Sequence, residues 1–142
     1  SQIECGRALL EQFHIQGIAS PLSFLPWSLA KLRVKDPQMI RQAIAEAFLR
    51  LSLPGLLHSP DQLALLAWAC AMLGVTYPKL SDALAQQALV QIKAFKLHEL
   101  LQLAWGLPPS LSDAKLSHAI QDELTLQLEH FEYCADAYWQ GF

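Results

Sequence analysis

A tryptophan-bearing helical segment recurs along this chain, and the recurrence limits the folds open to it more than any other feature. Leu22, Leu25, Trp27, Ala30, Leu32 and Pro37 stand 41 positions before Leu63, Leu66, Trp68, Ala71, Leu73 and Pro78. Met39 and Ala47 match Leu80 and Ala88 at the same offset. Leu63, Leu66, Ala67 and Trp68 return 37 positions later as Leu100, Leu103, Ala104 and Trp105. The run Leu80-Ser81-Asp82-Ala83 returns as Leu111-Ser112-Asp113-Ala114, an offset of 31, so the third unit is six residues shorter between its tryptophan and its second helix. A period near 38 residues with two helices per unit is the signature of an α-solenoid. One helical pair cannot bury both its faces, whereas stacked pairs bury a continuous core and leave the terminal helices to cap it.

The local signals are helical throughout. Ile3 to Gln16 reads as a helix with Gly17 as its stop, and Ser20-Pro21 as the start of the next, running to about Leu32 with Pro26 loosening its first turn. Asp36-Pro37 repeats the start signal, and Ile40, Ile44, Ala47, Phe48 and Leu51 form an apolar face with Arg41, Glu46 and Arg50 turned to water. Ser59-Pro60-Asp61-Gln62 has the form of a capping box, and Leu63 to Leu73 is apolar nearly all round, which predicts a central helix ended by Gly74. Pro78 opens a helix through Phe95, Leu97 to Trp105 forms another, and Gly106 with Pro108-Pro109 stops it. Ser110 or Ser112 caps a last helix carrying Leu116, Ile120, Leu124, Leu128 and Phe131. No run alternates strictly enough to be a strand. The expectation is a single all-α domain over 1–142, an α-solenoid of about three helix-turn-helix repeats (20–55, 59–95 and 96–131). Roughly seven helices are predicted, with a capping helix at 2–17 and an acidic C-terminal tail at 132–142.

Charge is polarised. Five basic residues (Lys31, Arg33, Lys35, Arg41, Arg50) face two acidic ones between Lys31 and Arg50, whereas from Leu116 onward there is no Lys or Arg and five carboxylates. The apolar run Leu63 to Val75 is too short to span a bilayer, and the N-terminus, with Glu4 and Glu11 and no basic start, does not read as a signal peptide. Hydrophobic residues make up 53% and charged residues 16%, which predicts either a large core or apolar surface covered by a partner. Cys5, Cys70 and Cys134 are odd in number and far apart, so they read as reduced thiols.

Ser59 to Phe95 carries a further signal. Its pattern Ser-Pro-x-x-Leu-Ala-x-Leu-x-Trp-Ala-x-Ala-x-Leu-Gly, followed by Pro78 and a second helix ending in Ala94-Phe95, resembles the octotricopeptide repeat. Related helical repeats occur in FAST-kinase-type and heptatricopeptide proteins. The resemblance extends to Lys96–Trp105 and more loosely to Pro21–Leu53, where Pro26 stands at the Ala67 position. It implies 38-residue helical pairs in a protein of mitochondria or chloroplasts that binds and manages organellar RNA. The motif describes helix packing more than it describes a ligand.

No catalytic motif accompanies the repeat. There is no phosphate-binding glycine loop, no triad order and no close acid pair in an apolar setting, so the chain reads as a non-enzyme without cofactor. His14, His58, His98, His118 and His130 have no metal-ligand spacing. Trp27, Trp68 and Trp105 fall on the apolar side at the repeat period, which predicts inter-helix core rather than base-stacking platforms; Trp139 lies outside the period and is expected at the surface. The candidate binding residues are Lys31, Arg33, Lys35, Arg41 and Arg50, which could meet the phosphates of single-stranded RNA or a ribonucleoprotein, against the alternative that they are ordinary solubilising charge. Two functions follow as expectations. One is an RNA-associated repeat protein of organellar RNA metabolism. The other is a structural or adaptor subunit held by protein contacts in a larger organellar assembly such as a ribosome or respiratory complex.

Overall fold

The computed structural model describes residues 24–53, 57–74, 77–107 and 114–141. The expected helix at 2–17, the Ser20-Pro21 start and the Ser110 or Ser112 cap lie outside the described residues. Within them the chain is all-helical, with no strand. Six α-helices follow in order: α1 (Phe24–Lys31), α2 (Pro37–Leu51), α3 (Pro60–Leu73), α4 (Pro78–Val90), α5 (Leu97–Gly106) and α6 (Ala114–Gly141), with a 3-10 turn at Ile92–Ala94 between α4 and α5.

Proline sets three of the starts. Pro37, Pro60 and Pro78 occupy the first helical turn of α2, α3 and α4, where a missing N–H costs nothing. Asp36 caps α2 by accepting from the Gln38 N–H at 3.0 Å. Ser59 occupies the cap position of α3 but makes no side-chain cap bond, contrary to the capping box expected there. Its hydroxyl donates to the Asp61 carboxylate instead, and that bond is the main reason the Asp61 pKa is lowered. The reciprocal half of a capping box is found one unit later, where the Lys96 N–H donates to Glu99 Oε1 at 2.8 Å. Gly74 ends α3 at φ 69, the left-handed conformation that suits glycine. Arg33 takes the same role after α1 at φ 55. There the Arg33 N–H donates to Ala30 O and the Val34 N–H to Leu29 O, the paired bonds that close a helix end.

The helices pack in two rows. α1, α3 and α5 lie side by side in sequence, as do α2, α4 and α6, and each helix also touches its hairpin partner. The α3–α5 contact is the most extensive of all. Small residues make it possible. A Cβ placed on Gly106 would run into the backbone carbonyl of Ala67, so glycine is the residue that lets α5 lie against α3 at this distance. The main core joins Ile44, Leu63, Leu66, Leu84, Phe95, Leu100, Leu103 and Leu116, and a smaller cluster of Leu25, Leu29, Val34, Met39 and Ala43 packs α1 onto α2. Each fully buried leucine contributes about 1.5–3 kcal/mol of transfer free energy.

The linkers between hairpins are held by a recurring bond. Gln91 Nε2 donates to His58 O at 2.8 Å, and Gln127 Nε2 donates to Phe95 O at 2.7 Å. In both cases a glutamine in or just past an even-numbered helix ties down the linker that leads into the odd-numbered helix of its own hairpin. Gln87 reinforces the first linker, accepting from the His58 N–H at 3.0 Å and donating to Leu51 O at 3.1 Å.

α6 departs from expectation. It runs unbroken to Gly141 over 28 residues, so residues 132–141 continue the helix rather than form a separate tail. Leu116 and Ile120 are buried and Leu124 packs against the core, but Leu128 and Phe131, on the same stripe, are exposed.

Candidate nucleic-acid interface

Leu25 and Leu29 turn one side of α1 into the core, which leaves Trp27 and Lys31, four residues apart, on the outer flank. Trp68 stands at the matching position of α3. The Lys31 Nζ lies 5.7 Å from the ring centroid of Trp27 and 5.3 Å from that of Trp68, so one ammonium bridges the faces of two indoles on adjacent helices. Trp105 continues the row on α5.

The three tryptophans are not the inter-helix core that their period predicts. Trp27 is 37% exposed and Trp105 is 53% exposed, with Trp68 between buried and exposed. The close approach of α3 and α5 through Ala67 and Gly106 leaves no space for an indole between them. Leucine and alanine fill the interface, and the rings lie along its flank.

The structure divides the five candidate cations. Lys31 is exposed among the indoles. Arg33 and Lys35, on the turn that follows, line a groove of about 460 Å³ together with Ile40 and Met72, where the end of α1 meets the end of α3. Arg41 is exposed on α2, in the other row. Arg50 is a correction: expected to face water, it is only 6% exposed, because it falls on the same stripe of α2 as Ala43 and Ala47. Burial lowers its pKa, and the Glu46 carboxylate one turn earlier opposes that. Arg50 makes an interaction within the fold and, at this burial, offers little surface to a ligand.

The remaining polar side chains do not converge. His58 sits in the α2–α3 linker, His98 and His118 are exposed, and His130 lies 3.6 Å from the Cys134 sulfur on the exposed half of α6. Among the described residues no three His, Cys, Asp or Glu side chains come together to hold a metal ion. Desolvation pushes the Cys70 thiol up to about 12, consistent with a packing role. Trp139 lies where side chains are outside the described residues. No described helix is long and apolar enough to cross a membrane.

Three features escaped the sequence. The glutamine bonds of Gln87, Gln91 and Gln127 carry no motif, although Gln91 and Gln127 lie 36 positions apart, close to the repeat period. Gly106 reads as a helix stop but acts as a contact point. The Lys31 bridge could have been found, since Trp27 and Lys31 are at helical spacing. No protein-family model matches the chain, and no curated protein or solved structure matches it either.

Proposed function

We propose that this chain is an octotricopeptide-like α-solenoid of three helical pairs that associates with single-stranded RNA, or with a ribonucleoprotein, and carries out no catalysis. Two facts support the solenoid: the helices pack as two rows, and the glutamine-to-linker bond returns in successive units. The observation that carries the RNA reading is the bridge of Lys31 across Trp27 and Trp68, with Arg33 and Lys35 on the adjoining turn. Unpaired bases stack on partly exposed indoles and phosphates pair with the flanking cations, a combination that double-stranded RNA cannot use. An organellar location, mitochondrial or chloroplast, belongs to the same proposal.

The charge count bounds the affinity. With three cations engaged, the salt slope is about −2, so affinity for RNA falls roughly 20-fold between 50 and 200 mM salt. Fluorescence anisotropy of a labelled pool of single-stranded RNA at those two concentrations tests this. Micromolar binding with that slope is the expected result; no binding at 50 mM salt rules out autonomous RNA recognition.

A second reading rests on a different observation. The exposed apolar residues of the outer half of α6 favour an adaptor subunit held by protein contacts in a larger organellar assembly, such as a ribosome or respiratory complex. The two readings are compatible, because the two surfaces lie on different rows.

A further inference from the structure

α6 is longer than the stack it belongs to. Its 28 residues span about 42 Å, whereas α5, its hairpin partner, spans about 15 Å with 10 residues. The first half of α6 packs on α4 and α5, and Gln127 ties the middle of the helix to the fold through the Phe95 carbonyl. Around and beyond it large apolar side chains stand exposed: Leu126 is 58% exposed and Phe131 is 65% exposed. Leu97, at the start of α5, closes one side of a groove of about 550 Å³ whose other wall is Glu123, Leu126, Gln127, His130 and Phe131. These α6 residues fall at steps of three or four, the spacing of one helical face.

Charge identifies the occupant. The groove has an apolar floor and a carboxylate at its edge, and α6 carries no Lys or Arg after Lys115 while Asp122, Glu123, Glu129, Glu132 and Asp136 follow. We propose that this groove docks a basic amphipathic helix of a partner protein, its apolar side chains against Leu97, Leu126 and Phe131 and its cations facing the Glu123 carboxylate at the groove's edge. Nucleic acid is a poor fit, since phosphate would meet Glu123 on a helix that offers no cation after Lys115. The chain's own segments do not qualify. The basic helix α2 already buries its apolar face in the core, and the helix-forming stretch Ile3 to Gln16 has Glu4 and Glu11 against Arg7 alone. The mode is helix-in-groove recognition, in which apolar anchors supply affinity and flanking charge supplies orientation.

The test uses the full chain and an 18-residue labelled peptide with leucines at i, i+3, i+4 and i+7 and lysines elsewhere, beside a counterpart with glutamate in place of lysine. The lysine peptide binds in the low micromolar range, and the glutamate peptide binds at least tenfold more weakly. The double variant Leu126→Asp/Phe131→Asp loses at least tenfold in affinity for the lysine peptide while keeping its helical circular dichroism, because both side chains are exposed. Glu123→Lys, which leaves the floor intact, weakens the lysine peptide alone. RNA affinity is unchanged in both variants, so failure here and failure of the RNA reading are told apart. Equal binding of the two peptides, or undiminished binding by the double variant, overturns the proposal. So does a wild-type dimer in sedimentation that the double variant dissociates, since a second copy would then be the occupant.

Discussion

At the scale of single residues, Gly106 shows how one position sets the geometry of a pair of helices. Any side chain there meets the Ala67 backbone, and backbone cannot move aside as the end of a flexible side chain can. Gly106→Ala therefore lowers stability by about 1–3 kcal/mol, the usual cost of overpacking a tight contact. Gly74→Ala is the informative comparison, since it meets nothing within 4 Å and suffers only from its positive φ, a cost of about 1–2 kcal/mol. Thermal unfolding distinguishes the causes. Ala67→Gly removes only the Ala67 methyl and leaves the clashing carbonyl in place, so it recovers little of the Gly106→Ala loss and none of the Gly74→Ala loss. The sequence carries Gly106 as a helix stop because it precedes Leu107 and two prolines; its contact role depends on a residue 39 positions away, which no local pattern reveals. Arg50 fails for a related reason. Its charge predicts exposure, but its place three residues after Ala47 on the core stripe prevails, and the aliphatic stem is carried into the interior with it.

At the scale of elements, helix existence and order were legible while the joints between them were not. Proline at positions 37, 60 and 78 and Gly74 mark boundaries the structure keeps, because these residues restrict the backbone whatever surrounds them. Ser59 makes no side-chain cap bond to α3; its hydroxyl donates to the Asp61 carboxylate. The linkers are held by glutamines whose partners are backbone carbonyls, so composition says nothing about them. Gln91→Ala and Gln127→Ala each remove one such bond and leave a carbonyl without its donor, at about 1–2 kcal/mol. Urea unfolding checks this, with the exposed Gln86→Ala expected within about 0.5 kcal/mol of wild type. The Gln91 and Gln127 losses add in the double variant, because the two bonds serve different linkers. A strongly non-additive result would mean that the linkers are mechanically coupled.

At the scale of the whole molecule, the packing of the described helices presents two surfaces of opposite character. One follows α1, α3 and α5, where the tryptophans lie along the flank, Trp27 and Trp68 beside Lys31, with Arg33 and Lys35 on the turn that follows. The other follows the outer half of α6, where apolar side chains and carboxylates stand together. The polarity of charge along the sequence anticipated this division, whereas the high apolar content left open a large core or an apolar surface covered by a partner. The sequence did not reveal which cations stand together, because that depends on the α1–α3 packing that sets Lys31 between Trp27 and Trp68. The central claim is that single-stranded RNA lies along the odd-numbered helices and not elsewhere. The most direct test compares the RNA affinity of Lys31→Glu with that of Arg41→Glu at 50 mM salt, since both side chains are exposed and both changes alter net charge equally. The account predicts about a tenfold loss for Lys31→Glu and less than a threefold loss for Arg41→Glu. Equal losses would mean that net charge rather than this surface governs binding, and would contradict it.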